Sequence, residues 1–81
     1  MLNIGERVQF GPYDGIAGEG IILSRSQTIY IIRVDFVTRD ILFQYKGKII
    51  NPFHWRVPFE LVQPFKYKSY KDILIRKFQN G

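Results

Sequence analysis

The sequence predicts a mainly β protein, a small five-stranded barrel followed by a short C-terminal helix. Three observations lead to this fold class. The chain has 81 residues, of which 46% are hydrophobic and 16% aromatic, which is enough for one compact core and a single barrel domain over residues 1–65. Its apolar residues occur in short runs, several of which alternate with polar residues, and glycine and proline separate these runs. Short strands bury little apolar surface in a flat sheet, so the sheet is expected to curl onto itself.

The first strand is predicted within residues 4–10. Val8 and Phe10 alternate there with polar neighbours, at the period of a half-buried strand. Residues 11–15 contain two glycines, a proline and an aspartate, which are residue types that favour turns. The chain is therefore expected to turn over these residues and to resume as a second strand at residues 19–24.

The third strand has the clearest pattern, at residues 28–36, after a hairpin connection at residues 24–27. Alternation divides its side chains between two faces of the sheet. Four of them are predicted to face the core: Tyr30, Ile32, Val34 and Phe36. Arg33 and Asp35 are predicted to lie on the opposite face.

The remaining strands are shorter. Residues 41–50 predict a tight hairpin with Gly47 in its turn, and Asn51-Pro52 predicts a break after it. A short strand is expected at residues 54–57. Residues 58–62 then predict a single helical turn that leads into a closing strand.

Near the C-terminus the apolar period changes to three and four residues, which is the period of a helix. Four residues carry it: Tyr70, Ile73, Leu74 and Phe78. The pattern predicts a helix over residues 69–78 with Ser69 as its N-cap. The competing prediction is a further strand, since this segment contains β-branched isoleucines and makes a marginal helix on its own. Residues 66–81 are expected to form a basic helical extension packed on the barrel.

Residues 11–20, GPYDGIAGEG, form a glycine-punctuated segment that leads into an apolar strand. This arrangement resembles the start of a KOW-type Src-homology-3-like barrel, in which either Gly18 or Gly20 matches the family's key glycine. Residues 57–62 are similar to the closing turn and strand of such barrels. The resemblance lies mainly in residues 4–36 and implies a five-stranded Src-homology-3-like barrel. Proteins with this barrel bind ribosomal RNA, polymerase, DNA or peptides, so the resemblance implies binding without specifying a ligand.

The composition argues against catalysis. The chain has no cysteine and one histidine, His54, whereas a metal site needs several ligands and a general base needs an orienting acid. The carboxylates are scattered singly along the sequence. Glycines 15, 18 and 20 precede a strand, and not the helix N-terminus that a phosphate-binding loop requires. We therefore expect no enzymatic activity, no metal and no cofactor.

The sequence also predicts a cellular compartment. The N-terminus lacks the basic and apolar regions of a secretory signal. No apolar run approaches the roughly 18 to 20 residues of a membrane span. The lack of cysteine fits a reducing environment. We expect a soluble cytoplasmic protein without a membrane partner.

Positive charge is concentrated in the C-terminal part of the chain. The formal net charge of +5 favours acidic partners. Residues 1–45 contain four Arg and five acidic residues, whereas residues 46–81 contain eight Lys or Arg and two acidic residues. Residues 66–71 interleave lysines with tyrosines, a composition suited to phosphate contacts and base stacking. The residues predicted to bind RNA or DNA are Lys46, Lys48, Lys66, Tyr67, Lys68, Tyr70 and Lys71.

Two alternatives to nucleic-acid binding are open at this stage. In the first, Tyr67 and Tyr70 pack the helix onto the barrel and the lysines keep the surface solvated. In the second, the domain is a protein-interaction module, an adaptor or small inhibitor that docks on a larger acidic protein through Phe53, Trp55 and Arg56. The same aromatic rings also suit the barrel core. The oligomeric state is open as well, since a subunit of an obligate assembly would explain spare aromatic residues.

Overall fold

The computed structural model describes residues 2–38 and 47–64. They form one antiparallel sheet of five strands in the order β4-β3-β2-β1-β5. The strands are β1 (Arg7–Tyr13), β2 (Ile16–Arg25), β3 (Ile29–Thr38), β4 (Lys48–Pro58) and β5 (Val62–Pro64). Within these residues the helical structure is a single 3-10 turn at Phe59–Leu61. The predicted mainly β class is confirmed.

The hairpin between β1 and β2 has a shorter turn than the sequence predicts. β1 continues to Tyr13, so that only Asp14 and Gly15 form the turn. The pairing register shifts just before Tyr13, so the turn-forming residues are accommodated as an irregularity within the strand. At Gly11 φ is +124°, and a Cβ there would lie 2.6 Å from the Cα of Ala17. Glycine is therefore required at this position both by its conformation and by the close approach of β2.

Two glycines of β2 lie against the backbone of β3. Gly18 and Gly20 are in register with Phe10 and Val8 of β1. A Cβ on Gly20 would lie 2.8 Å from the carbonyl carbon of Arg33 on β3, which is closer than side-chain atoms pack. The pairing of β2 with β3 also shifts next to Gly20. β2 can therefore bend over the core at this point.

β3 provides the predicted core residues. Four of its side chains are buried: Tyr30, Ile32, Val34 and Phe36. Arg33 is exposed on the opposite face, as predicted. Asp35 also lies off the core but is buried, with 3% of its surface exposed. The pairings of β3 with β2 and with β4 both skip Asp35, so this residue forms a bulge in β3.

β4 is one continuous strand, whereas the sequence predicts a break at Asn51-Pro52. Residues 50–52 lie opposite the bulge at Asp35, where the pairing register with β3 shifts. Proline has no N–H to donate, and here it lies where the ladder is already interrupted. The predicted break is wrong because a bulge accommodates these residues, and the strand predicted at residues 54–57 is the second half of β4.

The closing segment follows the prediction. The 3-10 turn begins after Pro58, and the short β5 pairs antiparallel with β1. The predicted helical turn and closing strand are therefore confirmed. Phe59 stacks on Tyr30 with 4.3 Å between ring centroids, which fixes the turn against the core.

The sheet curves so that β4 approaches β1 over the core. One face, hereafter the inner face, carries the buried core residues Val8, Phe10, Ile22, Tyr30, Ile32, Val34 and Val57. Trp55 of β4 packs edge-on against Phe10 of β1, with 5.5 Å between ring centroids. In a flat sheet these strands would be about 14 Å apart, which is three strand spacings. A closed barrel is not formed by the described residues, since β4 and β5 are the two edges of the sheet.

Several predicted elements lie outside the described residues. They are the first strand of the hairpin at residues 41–45, the C-terminal helix at residues 69–78 and the basic extension at residues 66–81. Across residues 2–38 and 47–64, no helix has the length and apolar character needed to cross a membrane.

Candidate functional site

Basic side chains lie on the outer face of the sheet, opposite the core. Arg33 of β3 is directly opposite His54 of β4, and Arg56 follows two residues later on the same face. Lys48 lies at the other end of β4, and all four side chains are exposed. Opposed residues of an antiparallel pair have Cβ atoms about 5 Å apart, so Arg33, His54 and Arg56 are close neighbours. We term these four residues the outer basic face.

The charges of the outer basic face are not engaged by neighbouring side chains. Apart from backbone pairing in the sheet, none of its four side chains forms a hydrogen bond or ion pair with another residue in the described part of the chain. The one carboxylate in the described strands β3 and β4 is Asp35, which is buried. Positive potential on this face is therefore not cancelled by an exposed acid on the same two strands.

Arg7, Glu19 and Asp35 form a charged cluster beside the outer basic face. Arg7 Nη1 donates to Asp35 Oδ2 at 2.9 Å, and Nη2 donates to Asp35 Oδ1 at 2.6 Å. Nη2 also donates to Glu19 Oε1 at 2.8 Å. Glu19 is fully buried and Asp35 nearly so. This charge-assisted, bidentate pairing withdraws two carboxylates from the surface that a ligand meets.

The sheet register brings this cluster together. Arg7 is opposite Ile21 of β2, and Ile21 is opposite Arg33 of β3. Glu19 lies two residues from Ile21 on β2 and is therefore a diagonal neighbour of Arg7. Asp35 lies on β3, on the other side of β2 from Arg7. The sequence separates these residues by 12 and 28 positions. Glu19 and Asp35, which look isolated in the sequence, therefore share Arg7 as a partner in the fold.

The surroundings of Arg7 change its pKa. Burial alone lowers the pKa of a guanidinium, because the charged form loses its hydration. The hydrogen bonds to Asp35 and Glu19 and the negative charges of both favour the charged form more strongly, so the pKa of Arg7 lies above its ordinary value. Arg7 is therefore a half-buried cation that stays charged, and its role is structural.

An aromatic cluster lies on the inner face beside the β1–β2 hairpin. The ring centroid of Trp55 is 5.1 Å from that of Tyr13 and 6.0 Å from that of Phe53, in addition to its contact with Phe10. We term Phe10, Tyr13, Phe53 and Trp55 the aromatic cluster. Phe10 is buried, Tyr13 and Trp55 are half-buried, and Phe53 is 41% exposed. The cluster thus extends the core to an exposed ring at Phe53.

Four of the predicted site residues are described, and all lie on β4: Lys48, Phe53, Trp55 and Arg56. Side chains alternate along a strand, so Phe53 and Trp55 project to the inner face and Arg56 to the outer face. The three residues predicted to dock an acidic protein are thus divided between two faces. The other residues predicted to bind nucleic acid lie outside the described part of the chain: Lys46, Lys66, Tyr67, Lys68, Tyr70 and Lys71.

Three members of the outer basic face are missing from the residues predicted to bind nucleic acid: Arg56, which was predicted to dock an acidic protein, and Arg33 and His54, which were assigned to neither site. The sequence pattern places Arg33 away from the core, and it presents His54 as a lone histidine without catalytic partners. Alternation is the signal that marks both as outward-facing residues. The register between β3 and β4, which makes them neighbours, depends on the bulge at Asp35 and is not visible in the sequence.

The arrangement offers exposed basic groups and an exposed ring. Among residues 2–38 and 47–64, no group of three or more His, Cys, Asp or Glu side chains is placed to hold a metal ion. Comparison of the chain with protein-family models, with curated proteins and with solved structures yields no match.

Proposed function

We propose that the chain is a non-catalytic binding domain for RNA or DNA, and that the outer basic face contacts phosphates. The observation that carries this proposal is a set of four exposed basic side chains without an ion-pair partner among the described residues. Neutralising phosphates releases counterions, so the cationic members Arg33, Lys48 and Arg56 contribute affinity without recognising a base sequence. Charges that serve only solubility are commonly interspersed with acidic ones, whereas here the neighbouring Glu19 and Asp35 are buried.

In this proposal the basic residues outside the described part of the chain strengthen the same interaction. Lys46 precedes Lys48 by two residues, and residues 66–71 contain three lysines and two tyrosines. Lysines contribute phosphate contacts, and Tyr67 and Tyr70 contribute stacking on bases.

The proposed scaffold is a Src-homology-3-like barrel of the KOW type. Three features support it: β5 pairs with β1, a 3-10 turn precedes β5, and the curved sheet packs Trp55 against Phe10. A small scaffold of this kind presents binding residues on strands and loops around a rigid core. This role requires no catalytic group.

Fluorescence anisotropy with labelled single-stranded and duplex RNA and DNA, over a salt series, tests the proposal. We expect micromolar or tighter binding at low salt, with log K falling linearly with log salt concentration. Arg33→Gln and Arg56→Gln should each make the slope shallower by about 0.7 for a single strand, because each removes one phosphate contact. Arg25→Gln is the control, since Arg25 is an exposed arginine at the end of β2, opposite the inner-face residue Tyr30, and its guanidinium donates only to the carbonyl oxygen of Leu2 among the described residues.

Two results contradict the proposal: no binding at low salt, or an equal change of slope in Arg25→Gln. A further variant that replaces Lys66, Lys68 and Lys71 by glutamate measures the share of the C-terminal residues. If this variant loses affinity and the Arg33 and Arg56 variants keep theirs, the C-terminal residues bind the phosphates and the outer basic face does not.

Docking on a larger acidic protein is the second candidate function. The exposed ring of Phe53 beside Trp55 favours it, because aromatic anchors contribute much of the energy of protein interfaces. It predicts no general affinity for nucleic acid and loss of partner capture in Trp55→Ala.

A further inference from the structure

β4 presents different chemistry on its two faces. His54 and Arg56 project to the outer face, and the alternate residues Phe53 and Trp55 project to the inner face. In the described sheet β4 is an edge strand, whereas β2 and β3 are internal. A ligand that approaches this edge can therefore contact both faces without crossing a neighbouring described strand.

Phe53 has the properties of a stacking platform. Its side chain is 41% exposed, and its one ring contact among the described residues is with Trp55, at 6.0 Å and an interplanar angle of 44°. Packing on Trp55 restrains the ring while part of it stays in solvent. An exposed aromatic ring and basic residues on one strand provide the two interactions by which proteins hold single strands, stacking and phosphate contacts.

We infer, on the basis of the proposed function, that β4 binds a single-stranded nucleic acid across both of its faces. The phosphates lie on the outer basic face, and one base stacks on Phe53. A duplex keeps its bases paired and stacked on one another, so it offers phosphates to the outer basic face but no free base to Phe53. The exposed ring therefore selects single strands over duplexes.

Trp55 provides a direct probe of this arrangement, because it is the only tryptophan of the chain and lies beside Phe53. The full-length protein is titrated with oligouridylate, oligothymidylate, duplexes of the same length, and inorganic polyphosphate, which carries phosphates without bases. We expect both single strands to quench Trp55 fluorescence and to bind about tenfold more tightly than the duplexes. Polyphosphate should compete with a labelled strand but leave Trp55 unquenched.

Substitutions separate stacking from charge. Phe53→Leu keeps an apolar side chain but removes the ring, and should weaken single-strand binding about tenfold, in the range of one lost stacking contact. Its salt slope and its affinity for polyphosphate should not change, because no basic residue is lost. Phe53→Tyr retains the ring and should bind as the original protein does. Ile49→Ala is the matched control, since Ile49 has the same exposed fraction, 41%, without a ring.

The outcomes distinguish this inference from the proposed function. Equal affinity for duplexes and single strands, together with unquenched Trp55 and unaltered binding by Phe53→Leu, overturns the inference and leaves the proposed function in place. Absence of binding to every nucleic acid at low salt overturns both. Binding of polyglutamate in place of nucleic acid also overturns both and assigns the surface to an acidic protein. Melting temperatures measured for each variant show that binding is compared between folded proteins.

Discussion

Two carboxylates buried on the outer side of a small sheet need a fixed cationic partner, and Arg7 is that partner for Glu19 and Asp35. Removing charges from water costs several kcal/mol per ion unless they are paired and hydrogen-bonded. Because the pKa of Arg7 is raised in the folded protein, the stability that its charge contributes is present throughout the ordinary pH range. It is lost only as the pH rises through that raised pKa.

Replacing Arg7 by methionine should therefore destabilise the protein strongly. The change leaves two buried carboxylates without the guanidinium that binds both, and we expect the free energy of unfolding to fall by about 3 kcal/mol or more. Urea denaturation measures this difference. Arg56→Met is the control on the same face, and it should change stability by less than about 0.5 kcal/mol, as at other exposed sites. Similar losses in the two variants would show that the cluster is not a structural centre.

At the scale of strands, periodicity predicted the faces of β1 and β3 but not their irregularities. Val8 and Phe10, like Ile32 and Val34, are apolar residues two positions apart, because one face of each strand is buried. This spacing is visible in the sequence. Glycine and proline are local signals that serve equally for a turn and for a bulge. At Asn51-Pro52 tertiary structure overrides the local signal for a break, because the pairing of β4 with β3 continues on both sides of the bulge.

The candidate site was only partly predictable for the same reason. Lys48 and Arg56 were among the predicted site residues, Lys48 for nucleic acid and Arg56 for an acidic protein. The proximity of Arg33 to His54 depends on strand register, which combines contributions from distant parts of the chain. The pairing of Arg7 on β1 with Asp35 on β3 likewise depends on register, because β2 lies between them.

The bend of β2 leads to a prediction at Gly20. Gly20→Ala should lower stability by about 2 kcal/mol, because the added Cβ would meet the Arg33 backbone and, at 2.8 Å, the Cγ2 of Ile32. Chemical denaturation provides the measurement. Gly15→Asn serves as the comparison. At Gly15 φ is +75°, and a Cβ there would have no atom within 4 Å other than those of its chain neighbours. Asparagine tolerates this conformation. If Gly20→Ala were as stable as Gly15→Asn, close packing of β2 on β3 would not be needed for the fold.

For the molecule as a whole, the packing of Trp55 on Phe10 and Tyr13 connects the edge strand β4 with β1 across the core. β4 and β1 share no backbone hydrogen bonds, and two strands separate them in the sheet. Their association therefore depends on side-chain packing, and it forms only when the sheet is curved. Small single domains with one such core usually unfold in a single cooperative step.

Trp55 fluorescence and far-ultraviolet circular dichroism should accordingly give the same unfolding transition. The first signal reports the contact of β4 with β1, and the second reports the sheet. We expect coincident midpoints in urea. A fluorescence midpoint at lower urea concentration would mean that β4 leaves β1 before the sheet unfolds, and that the curvature is not part of the cooperative unit.

The bulge formed by Asp35 and residues 50–52 also has a consequence for how the sequence can change in length. One residue more or fewer within residues 50–52 alters the size of an existing irregularity and leaves the orientation of the following strand intact. The same change after Phe53 reverses the facing of every later residue of β4, which would expose Val57 and turn His54 and Arg56 toward the core. Insertions and deletions in related sequences should therefore occur at the bulge, and the spacing from Phe53 to Val57 should stay fixed.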